Sequence, residues 1–300
     1  MTTPHIALAT CSALPDLDPD DAPLIGALLS RGIDASPVAW DAPDVDWSTY
    51  DLVVIRNTWD YSERPREFVA WARSVPHLLN PSEVVAWNVD KSYQRALEGA
   101  GLPIVPTIWL DPERNFDSRA IHTRFPAFGD FVIKPTISAG SRDTGRYEAD
   151  VTASRALAIT HAKNLLQAGR HVMIQRYLKR VDTAGEAALV FIDGVFSHSV
   201  RKDRLLEGPY RPTDDRYKVE TMSVREADDA EREVAERVVA ALPGLVPGVD
   251  EPLLYLRVDL IQDDAGNPVV LELELTEPSL FLAMAPGALD RFADAIAARV

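Results

Sequence analysis

Residues 254–261 (Leu-Tyr-Leu-Arg-Val-Asp-Leu-Ile) and 269–277 (Val-Val-Leu-Glu-Leu-Glu-Leu-Thr-Glu) are two apolar runs. They flank Asp263-Asp264-Ala265-Gly266-Asn267-Pro268, which is strong turn chemistry. The pair predicts a β-hairpin. Side chains alternate faces along a strand, so Leu271, Leu273 and Leu275 are expected on one side and Glu272 and Glu274 on the other. A turn symmetric about Ala265 and Gly266 sets Asp259 opposite Glu272 and Arg257 opposite Glu274. Asp259, Glu272 and Glu274 then share one face, where like charges repel unless something positive lies between.

Two readings of that face are open. It is either a solvated acidic surface on an edge hairpin or a site for Mg²⁺. That ion takes oxygen ligands, usually one or two carboxylates with substrate phosphates and waters. The second reading requires a lysine and a small-residue phosphate loop elsewhere, and the chain has both.

Three hundred residues suffice for two or three subdomains with cores of their own, and 46% hydrophobic content is that of an ordinary globular protein. A net charge of −15 disfavours nucleic acid or an anionic membrane surface as partner. An anionic substrate must therefore be met by locally placed Arg and Lys. Cys11 is the only cysteine, which excludes a disulfide framework and a cysteine zinc site. No basic leader precedes an apolar stretch at the N-terminus and no apolar run approaches a membrane span, so a cytoplasmic protein is expected.

The first ninety residues alternate strand and helix. Strands are expected at His5–Thr10, Ile33–Trp40, Asp51–Arg56 and His77–Asn80, with helices at Asp20–Arg31 and Pro65–Ser74. Such alternation predicts a small parallel sheet covered by helices, and ligands of these sheets bind at the carboxyl ends of the strands. There Arg56-Asn57-Thr58-Trp59-Asp60-Tyr61 is either a capped loop with aromatics over the core or a substrate site. In the second case Arg56 binds a carboxylate through its forked guanidinium. Cys11 has no Cys–His surroundings and is expected to be inert; of the six histidines, only His198 is kept as a site neighbour.

Further on, Asn88-Val89-Asp90-Lys91 opens a helix expected to run to Ala100, and Pro103–Leu110 is extended. Phe131-Val132-Ile133-Lys134-Pro135 is a strand ending on a lysine. The loop Thr136–Gly145, with Ser138, Gly140 and Ser141, is built of small and hydroxyl residues that let backbone N–H groups approach phosphate oxygens. It is not a Walker A loop. A helix at Thr152–Ala168 precedes the strand His171–Leu178. Glu186–Phe191 and Val195–Lys202 form a second hairpin ending on Arg201-Lys202. Asp203–Thr221 is polar and reads as a mobile loop. Helices are expected at Arg225–Leu242 and from Gly287 onward.

In this order, Lys91, Lys134 before its small-residue loop, Gln175-Arg176-Tyr177-Leu178, Gly185-Glu186, Arg201-Lys202, Asp259 and Glu272-x-Glu274 resemble the ATP-grasp superfamily, nearest its glutathione-synthetase and RimK-like branch. The resemblance spans about residues 85 to 285. It implies an α/β chain with an N-terminal parallel α/β domain (1–90), a central lid subdomain (91–175) and a C-terminal grasp subdomain with the metal site (176–300). The implied cofactors are ATP and Mg²⁺. Lys91 and Lys134 resemble the nucleotide-phosphate lysines. Gln175, Arg176, Tyr177 and Leu178 resemble the hinge strand that reads adenine, and Glu186 the group that holds the ribose. Arg201 resembles the arginine near the γ-phosphate; Asp259, Glu272 and Glu274 resemble the Mg²⁺ ligands. Glu274 departs from the usual Asn, with Arg257 placed to offset its charge. Ala188 stands where glutathione-synthetase relatives often carry Arg, which argues for a different acceptor.

Within the superfamily, Arg56–Tyr61, Trp87–Lys91 and Ser197–Lys202 look most like the cyclo-ligases of D-cycloserine biosynthesis, which close O-ureido-D-serine into a ring. The resemblance implies transfer of the ATP γ-phosphoryl group to a substrate carboxylate, followed by attack of an amine. Lys134, Arg201 and Arg257 are the expected catalytic cations. Arg56, Asn57, Thr58, Glu277 and Ser279 are expected to bind an amino-acid-like substrate, with Glu277 also a candidate base. A homodimer is allowed. The rivals are an intermolecular amino-acid or peptide ligase and a non-catalytic nucleotide-binding module.

Overall fold

The computed structural model of the protein describes residues 3–203, 206, 208–211 and 221–300. Most of the stretch read as a mobile loop thus lies outside the described residues. The first sheet contains β1 (His5–Thr10), β2 (Asp34–Ala39), β3 (Leu52–Asn57) and β4 (Leu78–Leu79), all parallel in the order β2-β1-β3-β4. Its central strands β1 and β3 are buried on both faces. Val53 and Ile55 pack with Trp40, Trp47, Phe68 and Trp71, while Ile6, Leu8 and Val54 pack with Leu24, Leu28, Phe292 and Ile296. The last helix, Ala288–Ala297, therefore lies against the start of the chain, where Arg31 also pairs with Asp290 and Asp294.

The second sheet is antiparallel, β5 (Thr107–Leu110), β6 (Asp130–Pro135), β7 (Gly145–Glu148) and β8 (Val172–Arg176), in the order β5-β8-β6-β7. Ala158, Ala162 and Leu165 of the helix Thr152–Gln167 cover one face. The third is also antiparallel, β9 (Glu186–Ile192), β10 (Val195–Lys202), β11 (Met222–Arg225), β12 (Tyr255–Gln262) and β13 (Pro268–Glu274), in the order β11-β10-β9-β12-β13. Val234, Val238 and Leu242 of the helix Asp229–Leu245 back one face together with Val84, Tyr93 and Leu97. The opposite face is divided. Val190, Ile192 and Tyr255 at one end pack against Phe292 and Ile296, and the polar end carries the candidate site.

The architecture is the expected one, a parallel α/β unit followed by two antiparallel sheets. Local differences have local causes. The helix expected from Asp20 begins only at Pro23, because Asp20 accepts from the Leu282 and Ala283 amides and Asp21 from Arg56 and Asn57. Neither carboxylate is left to cap. The helix expected from Arg225 starts at Asp229, behind a reciprocal cap between Asp228 and Glu231; Arg225 itself ends β11, opposite Ser199. Ser82–Asn88 forms a helix not read from the sequence. The segment after it is a tight turn, Lys91–Tyr93, started by the Asp90 side chain, followed by the helix Gln94–Gly99. Among the described residues no helix is long and apolar enough to cross a membrane.

Candidate active site

The β12–β13 hairpin has the expected register: Arg257 faces Glu274 and Asp259 faces Glu272. The register then shifts by one, so that Leu260 pairs with Val270 and Leu271 is the extra residue. A bulge re-aims a side chain. Leu271, expected beside Leu273 and Leu275 in the core, instead joins Val105, Leu178, Ile261 and Val269 in a small apolar cluster at the cavity.

What lies between the carboxylates is Arg257. Its Nε and Nη2 hold Asp259 at 2.7 and 2.8 Å, Nη2 also meets Glu274 at 2.5 Å, and Nη1 donates to the Ser279 carbonyl at 2.9 Å. Asp259 takes a further cation from Lys202 at 3.1 Å. Burial raises the Asp259 pKa, but Arg257 and Lys202 outweigh it and hold the carboxyl far below the usual range. Glu274 has only a share of Arg257 and stands near Asp259 and Glu272, so burial pushes it up to about 7.

Lys202 enters the site because strand side chains alternate. On β10 it points inward to Asp259 and to Glu186, directly opposite on β9. Arg201, expected at the γ-phosphate, points the other way. Its guanidinium donates to the Thr183 carbonyl and pairs with Asp203, and it does not line the cavity. The adjacent basic pair was visible in the sequence; which member faces inward depends on the register with Glu186. Burial pushes Glu186 up to about 8 against the pull of Lys202.

The two lysines come from different elements, the turn Lys91–Tyr93 and strand β6. Lys91 Nζ lies 2.9 Å from Glu272 Oε1 and 2.6 Å from the Ser138 carbonyl, and its backbone N–H donates to the Thr136 carbonyl. It thereby ties the third sheet to the start of the small-residue loop. Lys134, at the end of β6, is pushed down to about 8 by burial. Burial would raise the pKa of Glu272, yet Lys91 and Lys134 keep it below the usual value.

These groups line a cavity of about 480 Å³, a size suited to a small organic ligand. At one end the Leu271 cluster meets Val132 and the segment Gln175–Leu178. Gln175 lines it too, its amide tied to Thr107 and Gln94. In the middle are Lys91, Lys134, Ser138, Gly140, Ser141, Glu186, Lys202, Arg257, Glu272 and Glu274. Glu277, Ser279, Trp59, Tyr61, Asp18 and Asp20 close the other end. There burial and the neighbouring Glu274 push Glu277 up to about 8. Asp18 and Asp20 were not foreseen, since nothing local marks the loop after β1 as reaching across to residues 277–283.

Two further expectations are corrected. Arg56, expected to grip a substrate carboxylate, is fully buried and already holds one: Nε and Nη2 bind Asp21 at 3.0 and 3.1 Å. Its Nη2 also donates to the Pro278 carbonyl at 2.9 Å, and the guanidinium lies over the Tyr255 and Phe292 rings. Asn57 bridges the Asp18 amide and Asp21, and Thr58 is buried; none of the three lines the cavity. Strand β3 places Arg56 on the face that packs against the chain end, so the charge is spent inside the protein.

The expected metal triad is likewise not formed. Among the described residues no group of three or more His, Cys, Asp or Glu side chains could hold an ion by itself. Asp259 is 1% exposed with both oxygens engaged by Arg257 and Lys202. Glu272 and Glu274 do face the cavity, Glu272 with Oε1 beside Lys91 and Glu274 with Oε1 beside Arg257. Two carboxylates beside room for phosphate fit the modest protein share that Mg²⁺ usually takes.

Residues 6–80 match the family model described as the N-terminal domain of D-cycloserine synthetase DcsG. The cycloserine biosynthesis protein DcsG of Streptomyces lavendulae is 37% identical over 304 residues, covering 98% of each chain. The crystal structure of D-cycloserine synthetase DcsG superposes with a TM-score of 0.87 at 36% identity, over 98% of this chain and 99% of that one. D-alanine–D-alanine ligase from Bacillus anthracis, complexed with ATP, has a TM-score of 0.67 at 16% identity, over 99% and 96%, and shares the fold. With that whole-length likeness and a cavity set between its two antiparallel sheets, the chain belongs to the DcsG family of ATP-grasp, ATP-dependent ligases.

Proposed function

We propose that this ligase uses ATP and Mg²⁺ to activate the carboxylate of O-ureido-D-serine as an acyl phosphate. The substrate's own oxygen-bound nitrogen then attacks it, and phosphate leaves as the ring closes. Hydrolytic loss of the carbamoyl group as CO₂ and ammonia gives D-cycloserine. The observation that carries this reading is the 37% identity with DcsG over nearly the whole length of both chains.

The cavity supports a division of labour. Adenine fits the apolar end at Val105, Leu178, Ile261 and Leu271, beside the backbone of Arg176–Leu178, with Glu186 toward the ribose. Lys91, Lys134 and the Ser138–Ser141 loop serve the phosphates, and Glu272 and Glu274 would hold Mg²⁺, which neutralises phosphate charge when bound. Lys202, rather than Arg201, supplies the cation at the transferring phosphoryl group, with Arg257 keeping Asp259 and Glu274 in place. Catalysis by positioning and charge neutralisation needs no protein nucleophile. With amine and carboxylate in one molecule, holding its ends about 3 Å apart replaces a bimolecular encounter. We carry the division into 1–90, 91–175 and 176–300 as part of this proposal.

The test is to incubate the purified protein with ATP, Mg²⁺ and O-ureido-D-serine and to follow phosphate release and product mass. D-cycloserine with stoichiometric phosphate supports the proposal. A product with the mass of two joined substrates makes the enzyme an intermolecular ligase. ATP binding without phosphate release for any acceptor makes it a binding module.

A further inference from the structure

Beyond the end of β13, the chain runs through residues 275–281 without helix or strand. Irregular buried backbone is costly unless its polar groups find partners. Here six consecutive carbonyls each receive a side-chain hydrogen bond. Leu275 is held by Asn80, Thr276 by Tyr255 and Glu277 by Trp59. Pro278 is held by Arg56, Ser279 by Arg257 and Leu280 by His198. Asp20 then accepts from the amides of Leu282 and Ala283, both at 2.9 Å. The donors come from β3, β10, β12 and the loops after β3 and β4, so the first and third sheets jointly set this segment.

The same segment presents Glu277, Ser279 and Phe281 to the cavity. His198 does not line the cavity; it reaches it only through the Leu280 carbonyl, 2.7 Å from Nε2. A carbonyl has no proton to give, so Nε2 carries the hydrogen. Nδ1 then accepts from the Ser197 hydroxyl at 2.9 Å. Arg291, from the last helix, donates to the same hydroxyl at 3.1 Å.

We propose that residues 275–283 form a preset wall for the carboxyl-bearing substrate and that His198 is a positioning residue for that substrate, acting through the Leu280 carbonyl. The wall's value is geometric: small misplacements of groups that orient a substrate are costly to the rate, even when their cause is remote. ATP should not sense the change, because none of the contacts proposed for it above lies within residues 275–283.

The inference rests on the function proposed above, and the experiment separates the two. Wild type, His198→Leu and His198→Gln are compared by steady-state kinetics with O-ureido-D-serine and ATP varied in turn, and by amide hydrogen exchange. His198→Leu is expected to raise KM for O-ureido-D-serine about ten-fold with KM for ATP unchanged. Exchange should quicken across 275–283 but not in the helix 152–167. His198→Gln, which keeps a donor, is expected to restore both. Equal losses for both substrates, or unchanged acceptor kinetics with exchange as in wild type, would overturn the proposal. An inactive wild type refutes the substrate assignment alone, and the exchange comparison still decides whether His198 holds the wall.

Discussion

Lys91 and Glu272 meet at 2.9 Å across the cavity, one from the turn that follows the first sheet and the other from the acidic hairpin. This pair balances the face that, from sequence, would be one of mutual repulsion. It also holds Glu272 at the cavity wall. Glu272→Gln keeps an acceptor for Lys91, so the melting temperature should change little. The Mg²⁺ concentration for half-maximal turnover should rise by at least about ten-fold. A metal titration of both proteins checks this; unchanged Mg²⁺ dependence would remove Glu272 from the metal site.

Lys202 and Arg201 provide a contrast within one dipeptide. Lys202→Met is expected to lower kcat by about 10²–10³, the scale for loss of one group aimed at developing charge. Arg201→Ala, on the outer side, should leave kcat near wild type. Comparable losses in both variants would show that the strand alternation does not decide which cation serves the reaction.

For Lys134, burial disfavours the charged ammonium and its pKa is pushed down to about 8. Below that pH the lysine is charged and ready for phosphate. Above it, binding must also take up a proton, so ATP affinity should fall as pH rises through 8, by up to about ten-fold per unit. Glu186, pushed up to about 8, gains negative charge in the same window and acts with the same sign. Lys134→Arg isolates the lysine's share: nucleotide titrations from pH 7 to 9.5 should show a flatter profile than wild type. Identical slopes would falsify the assignment.

Arg56 is expected to matter for stability before substrate. Arg56→Met strands the Asp21 carboxylate in the interior, and breaking a buried pair in this way costs about 3–5 kcal/mol. Urea unfolding of Arg56→Met, Asp21→Asn and the double variant should show the double less destabilised than the sum of the singles. Additive losses would mean that the two side chains do not act as a pair.

Much of the hairpin was legible from residues 254–277 alone, because alternation and turn chemistry are local. They set the pairing of Arg257 with Glu274 and of Asp259 with Glu272, and the order of lysines, loop and carboxylates carried the family. The long helix at Thr152 and the parallel opening sheet were legible for the same reason: period and punctuation are written in neighbouring residues. Which charged groups would face the cavity was not. Arg56 looks like an anion receptor until Asp21, some thirty-five residues earlier, is seen to occupy it. Lys202 displaces Arg201 through its register with Glu186, Leu271 changes sides at a bulge, and six carbonyls of an irregular segment find donors up to 222 residues away. Each of these is a choice of partner between distant parts of the chain. A buried charge or carbonyl must be satisfied by whatever the packed structure brings near it, and only the tertiary structure names that partner.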